Sequence, residues 1–336
     1  MKHRPELDGL RGIAIILVLG AHAGIPGFAD GGGGAGVTLF FVLSGYLITS
    51  LLLAEHSKTG RVSIRTFYYR RALRLFPALA VVLIAVALIV ATGLMPENVR
   101  QLGTDYRVVF LGVLTYVSNW VAVAGWSLGV LGHTWSLAVE EQFYIIWPAL
   151  LLIGLRMGSA RFAIVVLLVA IAVTPWRFVV ASDSVGGGDH LVAGTDCHAD
   201  ALLLGCVVAL LGTRLPQTAG WLGIAGLCVV MWLTTAANTV IFLPVAVIVS
   251  TLSVAGCPVR LAWAPLAFVG RISYGLYLWH QIVNMWGMPW FVVIPLSFAI
   301  ACASFVLIER PFLKLKDRLR MDRPVSTSAS PGLLSA

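Results

Sequence analysis

Apolar stretches of membrane-spanning length recur from one end of this chain to the other, at roughly 10–28, 36–54, 75–93, 107–125, 138–155, 161–180, 197–212, 219–235, 238–256, 266–286 and 290–308. A spanning helix needs about 20 such residues. The membrane region must therefore occupy nearly all of the 336 residues, with no room for a sizeable soluble domain. Composition agrees: 59% of the residues are hydrophobic, 11% are charged and the mean hydropathy is +0.92, a balance that cannot coat a water-soluble globule. A cytosolic enzyme, a secreted disulfide scaffold, a coiled coil and a disordered chain are excluded. The net charge of +8 comes from basic residues between the apolar stretches, where topology and anionic membrane lipids account for it, so no nucleic-acid partner is expected.

Connections rich in Lys and Arg stay cytoplasmic. Lys2, Arg4 and Arg11 place the N-terminus inside, and Lys58, Arg61, Arg65, Arg70, Arg71 and Arg74 do the same for the connection after the second stretch. Arg310, Lys314, Lys316, Arg318, Arg320 and Arg323 place the tail inside. Counting forward puts residue 94 outside, and counting back from the tail puts residue 137 outside too, so the stretch 107–125 cannot cross. Its Gly112, Ser118 and Asn119 suit a re-entrant or peripheral element shielded by protein. The expected fold is an all-α polytopic membrane protein of about ten transmembrane helices with both termini cytoplasmic, multi-pass in a bacterial plasma membrane. The run Gly31 to Gly34 reads as a flexible hinge in the first outer loop, and residues 313–336 as a basic, partly disordered cytoplasmic tail. Lys2 and Arg4 before Ala21-His22-Ala23 resemble a cleaved leader, but Glu6, Asp8 and Arg11 interrupt that pattern and a retained first helix is simpler. Cys197, Cys206, Cys228, Cys257 and Cys302 are scattered, with no C-x-x-C pair, and read as packing residues.

An ionisable group in hydrocarbon costs roughly 2.5–3.5 kcal/mol on insertion scales, so the ones a chain retains carry information. Arg11 and His22 lie eleven residues apart. At about 100° per residue they return to nearly the same helix face, with a rise of about 16 Å. One stripe thus presents a cation at the cytoplasmic end and an imidazole deep in the membrane. A neutral histidine there suits a general base acting on a hydroxyl, and equally a buried histidine satisfied by a carbonyl. Arg70 and Arg74 stand one turn apart before the third stretch, with Arg71 beside them. Such a fork grips a multiply phosphorylated ligand, although arginines at an inner helix end also serve topology and anionic lipid.

On the outer side, the run from His133 to Tyr144 gathers a histidine, Glu140, Glu141 and Gln142. Carboxylates beside aromatics suit polarising a histidine or holding the hydroxyls of a sugar-like acceptor; their spacing fits no zinc motif, so no metal is expected. Asp196, His198 and Asp200 enter a later stretch. Arg271, Tyr274, Tyr277 and His280 line the one before last, and structural hydrogen bonding is the favoured reading of both sets.

Six elements occur in order: Arg4-Pro5-Glu6-Leu7-Asp8-Gly9-Leu10-Arg11-Gly12 with His22 following; Phe40-Phe41-Val42-Leu43-Ser44-Gly45-Tyr46-Leu47-Ile48; Arg70-Arg71 with Arg74; His133-Thr134-Trp135-Ser136-Leu137 leading to Glu140-Glu141-Gln142-Phe143-Tyr144; Ser273-Tyr274-Gly275-Leu276-Tyr277-Leu278-Trp279-His280; and Glu309-Arg310-Pro311-Phe312. Together they resemble the membrane-bound acyltransferase 3 family over nearly the whole chain. The resemblance implies a membrane acyltransferase domain over residues 1–312. It would take cytoplasmic acyl-CoA, acetyl-CoA foremost, as co-substrate without a permanently bound cofactor, and O-acylate a glycan or glycoside acceptor. By that likeness His22 is the base, Glu140 and Glu141 support it or the acceptor, and Arg11, Arg70, Arg71 and Arg74 hold the CoA phosphates. Ser44, Tyr46, His133, Trp135, Asp196 and His280 are the further positions expected to meet substrate.

Two departures from the family pattern stand out. Relatives commonly carry Thr-Asp-x-Arg-x-Asp where this chain has Thr195-Asp196-Cys197-His198-Ala199-Asp200, without the arginine. The chain also lacks the outer esterase-like domain fused to some relatives, so either a separate outer-face transferase or transfer completed unaided is expected. The competing expectation is a proton-coupled transporter with His22, Glu140 and His280 as a relay, against which the lack of sequence repeats and of discontinuous helices speaks.

Overall fold

The computed structural model describes residues 3–28, 31–183 and 187–321, without the side chains of 236 and 316–321. In chain order the helices are α1 (Pro5–His22), α2 (Gly31–Thr59), α3 (Ile64–Ala91), α4 (Glu97–Arg100), α5 (Tyr106–Leu114), α6 (Ser118–Val123), α7 (Thr134–Leu155), α8 (Ser159–Ala181), α9 (Gly187–Ala193), α10 (Thr195–Leu211), α11 (Gln217–Leu233), α12 (Thr239–Ala255), α13 (Ala264–Arg271), α14 (Ser273–Asn284), α15 (Trp290–Ser304) and α16 (Arg310–Met321). No strand occurs among the described residues. Among the described residues, six helices are long and apolar enough to cross a membrane: Gly31–Thr59, Ile64–Ala91, Thr134–Leu155, Ser159–Ala181, the run Gly187–Leu211 through α9 and α10, and Trp290–Leu315 through a π turn at Phe305–Glu309.

The apolar stretches outside these six each differ for an identifiable reason. Helix α1 carries Glu6, Asp8 and Arg11 in its eighteen residues. Helices α11 and α12 are shorter apolar helices of 17 residues each. The stretch 107–125 is two helices of nine and six residues, turned at Tyr116 with φ 56°. At about 1.5 Å per residue neither approaches the roughly 30 Å of a hydrocarbon core. The stretch 266–286, read as one continuous segment, is broken at Ile272: α13 packs on α1, while α14 packs on α15 and also reaches α1 and α3.

One further expectation is corrected. Gly31 to Gly34 do not form a hinge; they begin α2. A Cβ at Gly31 would collide with the Met231 carbonyl of α11, and one at Gly36 with the Ala14 carbonyl of α1, so these glycines serve close helix approach. Of the tail expected over residues 313–336, the part through Met321 belongs to the helix α16, and the rest lies outside the described residues.

Helices in lipid gain no hydrophobic drive from meeting one another and associate where small residues let backbones touch. Helix α2 does this against α10. Space for a Cβ at Gly45 is taken by the Leu202 carbonyl, and at Gly205 by the Val42 carbonyl. Leu39, Phe41, Val42 and Leu43 of α2 and Leu10, Ile15 and Val18 of α1 are buried in the same core. Outward positions such as Leu88, Leu168, Leu222 and Leu307 stay exposed, as an apolar solvent permits.

Polar contacts lock the remaining elements. The Gln142 amide of α7 donates to the Tyr116 carbonyl at 2.7 Å and to Asn119 Oδ1 at 2.9 Å, and accepts from the Thr195 hydroxyl at 2.6 Å. This ring ties the α5–α6 hairpin to α7 and α10. Arg177, 0% exposed near the C-terminal end of α8, donates through Nε to the Cys197 carbonyl at 2.6 Å and pairs with Asp200 of α10. A guanidinium from the neighbouring helix thus meets the segment whose own arginine is missing. Removing one partner of a buried ion pair strands the other charge, so Arg177→Ala should destabilise the fold by about 3–5 kcal/mol, and Arg177→Leu with Asp200→Leu should recover most of that loss. Thermal unfolding of the detergent-solubilised variants checks both.

Candidate active site

Four helix faces and one helix end converge on a cavity of about 360 Å³. Its lining follows helical spacing: Arg70, Arg71 and Arg74 on α3; Ser136, Glu140, Glu141 and Tyr144 on α7; Ser273, Tyr274 and Tyr277 on α14; and Phe40, Phe41 and Ser44 on α2. Helix α1 adds Arg11.

The arginines divide into two kinds. Arg71 is satisfied: its Nη2 lies 2.5 Å from Glu141 Oε1, its Nε donates to both Glu141 oxygens at 2.9 and 3.0 Å, and its guanidinium lies on the Tyr144 ring. Glu140 accepts from the Ser44 and Tyr144 hydroxyls and stands 4.0 Å from Arg71. Arg11, Arg70 and Arg74 make no ion pair among the described residues. Arg11 reaches only the Ser273 hydroxyl, at 3.3 Å, and the Nε atoms of Arg11 and Arg70 are buried without a partner. A cation so placed is costly unless a partner arrives, and a guanidinium is shaped to receive phosphate.

A second cluster lies at the far end of α1. His280 Nε2 of α14 is 3.1 Å from His22 Nδ1, and the two rings are 5.0 Å apart. The Asn284 amide donates to the His22 carbonyl at 2.8 Å. The His133 ring stands 5.2 Å from His280 and 5.3 Å from Tyr277; it is 4% exposed, and neither of its nitrogens has a partner. None of these three histidines lines the cavity. Tyr277 and Ser136 connect the two places: both line the cavity, their hydroxyls are bonded to each other, and Tyr277 donates to the His133 carbonyl at 2.7 Å.

The remaining candidates lie elsewhere. Glu140 and Glu141 join the arginines and touch no histidine. Ser44 is in the cavity, but Tyr46 accepts from Arg4 Nη1 at 2.8 Å, outside the lining. Trp135 packs on Phe41 and His198 and lines a separate cleft with Trp126 and Asp189. Asp196 is held by Trp176 at 2.6 Å and by His190 at 3.0 Å. His190, Asp196 and the buried Cys197 form the one described grouping close enough to share a metal ion, with the Asp196 oxygens already bonded. Sequence reading quoted Ser136, Tyr144 and Tyr277 without placing them in the site, although i±4 spacing from Glu140 and Ser273 reaches all three. It passed over Arg177, whose signal was a lone arginine inside an apolar run.

The acyltransferase-domain family matches residues 4–309. Among curated proteins, the O-acetyltransferase OatA of Staphylococcus aureus strain NCTC 8325 is 29% identical over 93% of this chain and 58% of its own length. A candidate O-acetyltransferase of S. aureus strain MSSA476, SAS0844, is 31% identical over 94% of this chain and 58% of its own length. The chain therefore spans a little over half the length of these relatives. No solved structure matches.

The two kinds of arginine should separate in stability measurements. Arg71→Ala strands Glu141 and should cost about 3 kcal/mol, whereas Arg70→Ala, which breaks no pair, should stay within about 0.5 kcal/mol of the parent. Thermal melts of the ligand-free variants compare them.

Proposed function

The chain belongs to the acyltransferase 3 family, and from that premise we propose that it is a multi-pass membrane enzyme that moves an acetyl group from acetyl-CoA to a hydroxyl of a sugar-containing acceptor. The observation that carries this reading is the trio Arg11, Arg70 and Arg74, making no ion pair among the described residues around one cavity, on a bundle whose first helix also bears His22. In the proposed topology of about ten crossings with both termini cytoplasmic, the arginine end faces the cytoplasm. The CoA phosphates bind to Arg11, Arg70 and Arg74, which supply the positive charge the diphosphate and 3′-phosphate need. Arg71, held by Glu141, shapes the wall. The thin pantetheine arm then runs past Ser136 and Tyr277 toward His22, about 16 Å along α1 from Arg11.

The acceptor hydroxyl approaches from the outer side. His22 takes its proton, the oxygen attacks the thioester carbonyl carbon, and the carbon–sulfur bond breaks. The proton passes from His22 to the departing thiolate, which leaves as CoA, and the ester stays on the acceptor. Glu140 and Glu141 lie too close to Arg71 and the tyrosines to act on the acceptor, and their proposed part is to keep the donor cavity in shape.

Release of CoA thiol from acetyl-CoA by the protein in lipid nanodiscs, with soluble glycan oligomers as acceptors, tests this. His22→Ala should lower kcat by about 10²–10⁴-fold, the usual contribution of a positioned base. Arg70→Ala and Arg74→Ala should each raise KM for acetyl-CoA by about 10-fold or more at little changed kcat, the value of one charge-assisted contact. Proton-coupled glycan uptake that depends on His22, with no thiol released, would overturn the reading in favour of a transporter.

A further inference from the structure

The hydrogen bonds around His280 admit one arrangement of protons for two neutral rings. His280 Nδ1 lies 2.7 Å from the Tyr277 carbonyl oxygen and 3.2 Å from that of Leu276. A carbonyl only accepts, so Nδ1 must carry the proton, and in a neutral imidazole Nε2 then accepts. That atom is 3.1 Å from His22 Nδ1, which must therefore be the donor, leaving the lone pair of His22 on Nε2. The backbone of His22 is held by Asn284, and the Val18 carbonyl, one turn back on α1, also accepts from the ring, so His280 shares the His22 proton with a backbone acceptor.

The free edge of His22 faces glycine. A Cβ added at Gly33 would lie 3.9 Å from both Nε2 and Cε1 of His22, and one added at Gly34 would meet nothing within 4 Å. The start of α2 thus offers its backbone, with no side chain, beside the one nitrogen able to accept a proton.

We propose that His280 is a positioning residue that holds His22 in the Nδ1–H tautomer, so that the His22 Nε2 lone pair faces the side-chain-free space over Gly33 and Gly34 where the acceptor hydroxyl enters. The catalytic meaning of this pair rests on His22 being the base. In the transfer step the hydroxyl proton moves to Nε2 and from there to the thiolate. Nδ1–H stays donated to His280 throughout, and His280 itself neither gains nor loses a proton. The ring of His133 and the phenol of Tyr277 are the other titratable groups against His280; they pack on it by ring contact and leave its two nitrogens to the backbone and to His22.

The experiment uses the full chain in lipid nanodiscs, with ¹⁵N-labelled histidine and the His22 signals identified by their loss in His22→Ala. Acetyl-CoA and an N-acetylglucosamine tetramer serve as probes for turnover. In the parent protein His22 should show a protonated Nδ1 and a bare Nε2. His280→Leu should give a mixture of tautomers and lower kcat by about 100-fold, the scale of a misplaced catalytic group, with KM for acetyl-CoA unchanged. His280→Gln, whose amide oxygen can still accept from Nδ1–H, should restore the single tautomer and most of the rate.

A parent His22 protonated on Nε2 overturns the proposal without any variant, and so does a His280→Leu protein with the parent's tautomer. Glutamine no better than leucine, with both proteins folded as judged by their melts, also overturns it. Full turnover in His22→Ala would instead remove the base reading, a result independent of what the resonances show.

Discussion

A buried guanidinium nitrogen without a partner is a standing cost, and this protein holds Arg11 and Arg70 in that condition around a single cavity, with the more exposed Arg74 on the same wall and no ion pair to any of the three among the described residues. Much of the architecture keeps them there. Arg71 absorbs Glu141, and the Ser44 and Tyr144 hydroxyls absorb Glu140, so two of the nearby carboxylates are occupied, while the buried Glu309 acts on Arg11 and Arg74 only through the field. The close crossing of α2 and α10 through Gly45 and Gly205 holds one wall, and the α1–α13 contact holds Arg11 in reach of Ser273. The uncompensated charge is what an anionic donor would neutralise.

Helix α1 acts as the spacer between that charge and the imidazole pair. An eleven-residue interval fixes direction and distance together, because the helix repeat returns His22 to the Arg11 face about 16 Å further along. Helix α14 runs beside it and carries its own pair of stations, with Ser273 on Arg11 and His280 on His22. The break at Ile272 makes this possible by letting α14 leave the path of α13, so that one side chain of α14 serves each end of α1.

The sequence made the membrane class, the helical content and the Arg11–His22 stripe legible because those depend on composition and on spacing within one helix. The three arginines of α3 were visible for the same reason, but not their division. Whether Arg71 or Arg70 meets Glu141 is decided by the register of α3 against α7, which no local pattern reports. The same applies to Glu140 and Glu141, whose motif suited a histidine or the acceptor while their side chains face Arg71, Ser44 and Tyr144. Gly31 to Gly34 looked like a hinge because glycine permits a bend and tight packing equally, and only the Met231 carbonyl against Gly31 and the Leu17 carbonyl against Gly32 distinguish them. Arg177 was hidden in plain view: its partner Asp200 belongs to another helix, and the pair is apparent only once α8 lies on α10.

The central claim is that the arginine cavity and the histidine pair are two ends of one acyl-transfer path along α1. A cryo-EM map of the protein in lipid nanodiscs with a non-hydrolysable acetyl-CoA analogue tests it most directly. The account predicts phosphate density against Arg11, Arg70 and Arg74, with the thioester end directed past Tyr277 toward His22. Phosphate density beside Trp126 and Asp189, or at the His22 end of the bundle, would contradict it.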